Sequence, residues 1–132
     1  MVEKAHLSEL NVIAIDGPVA SGKTVVGRLL SKSLGYSFLD TGSMYRAITW
    51  VALERGLDMA SESLLGNLAH EVHIQVNDSG HGGVTVDGQD ITQHLNLSDV
   101  EKHVSYVAQI LEVRRALVEQ QRIIGNNGEI VM

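Results

Sequence analysis

The segment Gly17–Thr24 constrains the fold of this chain more than any other feature. It reads Gly-Pro-Val-Ala-Ser-Gly-Lys-Thr and matches the pattern G-x-x-x-x-G-K-[ST]. The apolar run Val12–Ile15 before it predicts a buried strand, and apolar residues at helical spacing follow it. Glycines at such a junction let backbone N–H groups surround an anion, because no Cβ atom obstructs the approach. The motif predicts a phosphate-binding loop, and the alternative is a glycine-rich turn that matches by coincidence.

Two side chains of this motif carry the chemistry that the pattern implies. Lys23 is expected to reach the β- and γ-phosphates of a nucleoside triphosphate. The hydroxyl of Thr24 is expected to ligate the Mg²⁺ ion that accompanies the nucleotide. The six histidines and the acidic residues form no cluster in the sequence that would complete a separate metal site.

The first half of the chain alternates predicted strands and helices. The apolar residues after the loop predict a helix that ends at Gly35, where a C-cap glycine belongs. Tyr36–Leu39 predicts a second strand, and a second helical pattern runs from Met44 until Gly56. This order predicts an α/β fold with a parallel sheet at its core.

The segment 61–97 has a different pattern. A short helical stretch is followed by alternating apolar residues in Val72–Val76 and Val84–Val86, and then by Asp87-Gly88. Alternation with an Asp-Gly pair is typical of a hairpin. We therefore predict a P-loop core in residues 11–60 and a small antiparallel β insert in residues 61–97.

Residues 98–132 complete the predicted organisation with two helices and a third core strand. Ser98 and Glu101 have the spacing of a capping box, in which each side chain bonds the other residue's backbone. A second helix is predicted from about Val113 to Ile124, and Glu129–Met132 predicts the strand. The sequence stops where the loop after that strand is expected, which suggests a C-terminally truncated sheet.

Composition narrows the class of protein. The net charge of −6 gives no chain-wide basic surface for nucleic acid, although local basic groups can still bind an anion. The absence of cysteine excludes disulfides and thiolate metal sites. No apolar run approaches the roughly 20 residues that cross a bilayer, and no secretory signal is evident, so a cytoplasmic location without membrane contact is expected.

Asp40–Arg46 suggests a second anion site. Thr41 or Ser43 is a suitable cap for the helix that follows. Arg46 lies near the start of that helix, where its charge opposes the helix dipole. An arginine placed there binds a second anion or simply faces solvent, and the residues alone favour neither. Ser105 and Arg114 would by themselves be interpreted as helix-surface residues.

Taken together, these blocks resemble bacterial cytidylate kinase over essentially Val12–Met132. The lone phosphate loop is shared by many enzymes, whereas the Asp-Gly-Pro lead and the Leu-Asp-Thr-Gly block are more discriminating. The matching segments are Ile13–Lys23, Phe38–Arg46, Val86–Thr92, Val113-Arg114 and Gln121-Arg122.

The resemblance implies a nucleoside-monophosphate-kinase-like fold and transfer of the γ-phosphoryl of ATP to CMP or dCMP with Mg²⁺. It implies that Lys23 and Arg46 are catalytic, Lys23 by offsetting charge and Arg46 by holding the acceptor phosphate. The ATP-binding residues are then Gly17, Pro18, Val19, Ala20, Ser21, Gly22, Lys23, Thr24 and Val25. The substrate-binding residues are then Thr41, Tyr45, Arg46, Ser105 and Arg114, the last two reading the cytosine ring.

The sequence departs from the family pattern in ways that affect its expected activity. Asn96 replaces a usual arginine and Leu111 a usual proline, and neither the Gly-Arg-Asp motif nor the arginine-bearing lid follows Met132. We therefore expect weak nucleotide binding and little turnover by this chain, with self-association possible through an open sheet edge. The alternatives are another P-loop kinase, such as an adenylate or shikimate kinase, and a non-catalytic nucleotide-binding module.

Overall fold

The structure is a computed structural model that describes residues 12–15, 22–76, 83–126 and 128–132. Within these residues the chain forms six strands and five α-helices. The strands are β1 (Val12–Ile13), β2 (Ser37–Phe38), β3 (Ile74–Val76), β4 (Val84–Val86), β5 (Gln89–Asp90) and β6 (Ile130–Val131). The helices are α1 (Lys23–Leu34), α2 (Thr41–Glu54), α3 (Glu62–Glu71), α4 (Ser98–Val107) and α5 (Leu111–Gly125).

The contacts divide the described residues into two compact units, one formed by those up to residue 40 with those from residue 122 onward, and the other by those between residues 41 and 121. The first unit contains a parallel sheet of order β1-β6-β2. Ile130 aligns with Val12 on one side and with Ser37 on the other. The last strand in the sequence is thus the central strand of the described sheet. The predicted division at residues 60 and 97 stays a prediction about domain organisation.

Helix α1 packs on this sheet through small residues. Gly27 and Ser31 are its buried positions, and a Cβ built on Gly27 would lie 2.4 Å from Cε1 of Phe38. Arg28 lies over the Phe38 ring, with its Cζ 4.9 Å from the ring centroid. Most of the apolar residues that predicted the helix are instead exposed, with Val25 at 63% and Leu29 at 64%. The helix was predicted correctly, but its close approach to the sheet uses the small-residue stripe.

The second unit packs four helices with an antiparallel sheet of order β3-β4-β5. Asp87 and Gly88 connect β4 and β5 with φ angles of 48° and 88°, so both occupy the left-handed region that a two-residue hairpin turn requires. Helix α2 supplies much of the core, since Met44, Ile48 and Ala52 are fully buried at helical spacing.

These features confirm an α/β fold that contains a parallel sheet and a small antiparallel sheet. The positions of Gly35 and of the Asp87-Gly88 turn are also confirmed, because Gly35 caps α1 with a φ of 70°. None of the helices in the described part of the chain is long and apolar enough to cross a bilayer.

Candidate functional site

The described end of the phosphate-loop motif lies in the first unit, at the start of α1. Gly22 is the N-cap of this helix and has a φ of 88°, a conformation that glycine adopts without strain. Its carbonyl accepts the N–H of Val26 at 3.0 Å, which begins the helix. Lys23 and Thr24 occupy the first turn and both are exposed. An ammonium and a hydroxyl at a helix N-terminus can both serve an anion that binds there.

The remaining motif residues, Gly17 to Ser21, lie outside the described residues. The predicted roles of these positions in ATP binding therefore stay predictions. Val25, the last position of the predicted ATP-binding set, is exposed on α1. Of the predicted set, the structure describes Gly22, Lys23, Thr24 and Val25 at the start of α1, and their roles toward ATP stay predictions.

The residues predicted for the acceptor side belong to the second unit, where Arg46 makes the most specific contacts. Its Nη1 donates to Oε1 of Glu101 and, at 3.3 Å, to the carbonyl oxygen of Leu95. The side chain of Arg46 is 30% exposed and that of Glu101 is 50% exposed. The sequence left open whether Arg46 binds an anion or faces solvent, and here it is ion-paired with a carboxylate.

This contact also corrects the predicted capping box. Leu97, and not Ser98, is the N-cap of α4, and it makes no side-chain capping bond. The N–H of Glu101 donates to the Leu97 carbonyl oxygen at 3.0 Å, while the Glu101 carboxylate pairs with Arg46. The capping-box prediction was wrong because a cation on another helix offers the carboxylate a stronger, charge-assisted partner.

Tyr45 and Arg114 interact electrostatically. Burial raises the pKa of the Tyr45 phenol above its ordinary value of 10.0, and the charge of Arg114 partly opposes this rise. A phenol with a pKa at or above 10.0 is protonated at neutral pH and can donate a hydrogen bond. Two of the predicted substrate-binding residues, one on α2 and one on α5, thus interact electrostatically in the structure.

The other two predicted substrate-binding residues are positioned less specifically. Thr41 is the first residue of α2 and is half-buried, and Ser105 is exposed on α4. Ser105 follows Glu101 by four residues, so the two share a face of that helix. Sequence reasoning missed Glu101 as the partner of Arg46, because a pair separated by 55 residues leaves no local pattern.

A Mg²⁺ ion carried by the nucleotide is compatible with the residues present. No group of three or more histidine, cysteine, aspartate or glutamate residues that could hold a metal occurs in the described ranges. In phosphate-loop enzymes the serine or threonine of the motif is one of the protein ligands of this ion, and Thr24 is exposed at the helix start. The role of Thr24 as a ligand of Mg²⁺ stays a prediction.

Comparison with known proteins gives a consistent result. The family model described as cytidylate kinase matches residues 13–132. The chain is 43% identical over 121 residues to a cytidylate kinase of Anoxybacillus flavithermus, covering 91% of this chain and 54% of that protein. It is 44% identical over 127 residues to a cytidylate kinase of Herpetosiphon aurantiacus, covering 92% and 56%.

A third relative combines two activities in its name. The bifunctional pantoate ligase/cytidylate kinase of Prochlorococcus marinus is 39% identical over 122 residues, covering 91% of this chain and 24% of that protein. The chain spans about half the length of the cytidylate kinases that it matches.

Proposed function

Because this chain belongs to the cytidylate kinase family, we propose that it serves the transfer of the γ-phosphoryl of ATP to CMP or dCMP. The observation that carries the proposal is the family match over residues 13–132, which includes both the phosphate-loop motif and the Asp40–Arg46 block. The cytoplasmic location expected from the sequence accompanies this function as a prediction.

In the proposed reaction an acceptor phosphate oxygen attacks the γ-phosphorus, and the bond to the leaving β-phosphate oxygen breaks. Lys23 offsets negative charge on the phosphates of ATP, and Arg46 holds the acceptor phosphate in line. Thr24 contributes a hydroxyl ligand to Mg²⁺, which supplies further charge neutralisation when bound. No covalent enzyme intermediate is required.

Selection of cytosine is assigned to Ser105 and Arg114. A hydroxyl and a guanidinium can hydrogen-bond the polar edge of a base, and both residues are exposed. Tyr45 and Thr41 complete the proposed acceptor side. The phenol of Tyr45 is protonated at neutral pH, as an unperturbed tyrosine also is, and can donate a hydrogen bond.

A coupled ATP/CMP assay tests the activity, with AMP and shikimate as competing acceptors. We expect low turnover from the 132-residue chain and preferential binding of CMP over the two competitors. Lys23→Ala is expected to weaken ATP binding, and Lys32→Ala, at the other end of α1, is the matched control. Preferential binding of AMP or shikimate would contradict CMP as the acceptor and indicate a kinase for the preferred compound.

A non-catalytic nucleotide-binding module is the second candidate, because the chain spans about half the length of its relatives. Binding of ATP and CMP without any turnover would favour this candidate. Turnover at the rate of a full-length cytidylate kinase would exclude it and would contradict our expectation of low activity. Unchanged ATP binding in Lys23→Ala would contradict the phosphate-loop role itself.

A further inference from the structure

The hydrogen bonds of the Arg46 guanidinium to other described residues run through one nitrogen. Among the described residues, its contacts to Glu101 and to the Leu95 carbonyl both run through Nη1. A guanidinium has five N–H donors, of which Nη1 carries two. The two acceptors therefore use the Nη1 hydrogens, and Nε and Nη2 carry the remaining three donors.

The Leu95 acceptor is held in place by its surroundings. Leu95 is only 6% exposed, and its neighbour His94 stacks on Trp50 with a centroid distance of 4.9 Å and an interplanar angle of 11°. Trp50 follows Arg46 by four residues on α2, so both lie on one face of that helix. The face of α2 that bears Arg46 therefore also fixes the segment that supplies the backbone acceptor.

We propose that Glu101 is a positioning residue that orients Arg46 for the acceptor phosphate. With Nη1 held by Glu101 and Leu95, the Nε–Nη2 edge of the guanidinium is available to bind two phosphate oxygens in parallel. Such bidentate contacts give arginine its specificity for phosphate and carboxylate groups. The proposal rests on the proposed function in one respect, namely that Arg46 binds the acceptor phosphate.

The contact geometry between Glu101 and Arg46 favours a carboxylate that orients the guanidinium over one that competes with phosphate for it. A carboxylate that competed with phosphate would bond two nitrogens along one edge of the guanidinium, whereas the hydrogen bond to Glu101 runs through Nη1. The negative charge of Glu101 still repels a phosphate, although its 50% exposure lets solvent screen that repulsion. Removing the whole carboxylate and removing only its charge should therefore have different effects on the affinity for phosphate.

The test follows CMP and inorganic phosphate binding to the ¹⁵N-labelled chain through the Nε–Hε resonance of Arg46. Glu101→Ala removes both the acceptor and the charge, and we expect phosphate-dependent binding to weaken about two- to five-fold. Glu101→Gln keeps an acceptor oxygen, and we expect its affinity to equal or exceed that of the wild type. Asp99→Ala changes the charge in the same first turn of α4 and is the matched control, with unchanged affinity expected.

The outcomes separate this proposal from the proposed function. Equal or tighter binding by Glu101→Ala would overturn the positioning role, even if CMP is the preferred ligand. Weaker phosphate binding by Glu101→Ala, with no preference for CMP over inorganic phosphate, would support positioning and contradict the cytidylate function. A wild-type Arg46 resonance that responds to neither ligand would overturn both. Cytidine, which lacks the phosphate, reports any change in base binding alone.

Discussion

Gln120 connects three backbone groups from the end of α3 and the start of β3, and its replacement should destabilise the second unit. Its Nε2 donates to the carbonyl oxygens of Ala69 at 3.4 Å and Val72 at 3.2 Å. Its Oε1 accepts the N–H of Ile74 at 3.2 Å. Carbonyls at a helix C-terminus lack intrahelical partners, so this side chain satisfies groups that α3 leaves open.

The expected loss follows from these three bonds. Each hydrogen bond contributes a net ~0.5–1.5 kcal/mol to folding. Gln120 is half-buried and its bonds are long, so water can partly replace them and the lower part of that range applies. We expect Gln120→Ala to lower the free energy of unfolding by about 2 kcal/mol. With a urea slope of about 1–3 kcal/mol per M, the midpoint should fall by roughly 1 M.

Urea unfolding followed by circular dichroism measures this loss, and Glu119→Ala, an exposed neighbour on α5, is the control. Gln120→Glu should be at least as damaging as Gln120→Ala at neutral pH, because a carboxylate cannot donate to two carbonyls. Its stability should recover on acidification, since the protonated carboxyl can donate to one of them. A loss below about 0.5 kcal/mol in Gln120→Ala would refute the reasoning, because one net hydrogen bond contributes that much.

Three further predictions address packing and titration. Gly66→Ala should destabilise the chain by about 1 kcal/mol in urea, because the new Cβ would lie 2.7 Å from Cβ of Glu112, whereas Asn67→Ala at an exposed position should be neutral or stabilising. The hydrogen bond from Arg115 is the main cause that lowers the pKa of Glu112 below 4.5, so Arg115→Ala should raise that pKa in an NMR titration. The stability linked to this carboxyl is present above pH 4.5 and is lost as the pH falls through the pKa of the folded state. Tyr45 should ionise above pH 10.0 in an ultraviolet titration of the folded chain and at 10.0 in the denatured chain, with linked stability lost as the pH rises through the folded value.

The parts of the fold that sequence predicted correctly depend on local chemistry. Gly35 ends α1 and Gly88 turns the β4–β5 hairpin, because glycine adopts the left-handed backbone that both positions need. The alternation of apolar residues in β4 places Val84 and Val86 on the buried side. Such signals act within a few residues of one another, so a single sequence is enough to predict them.

The candidate site was predictable to a smaller extent. The motif identified Lys23 and Thr24, and the position of Arg46 on a helix start suggested an anion without deciding between a ligand and solvent. Glu101, its partner in the structure, had been interpreted as part of a capping box with Ser98. The roles of all these residues toward nucleotides stay predictions that the experiments above can test.

The sequence by itself determined the phosphate-loop motif, the types of element and the resemblance to a kinase family, since each follows from residue identity at short spacing. Only the tertiary structure decided that β6 lies between β1 and β2, that Gly27 and Ser31 face the sheet, and that Glu101 pairs with Arg46. These arrangements depend on free-energy differences between distant partners. A carboxylate near a helix start can bond that helix or a cation elsewhere, and packing determines which partner comes within reach.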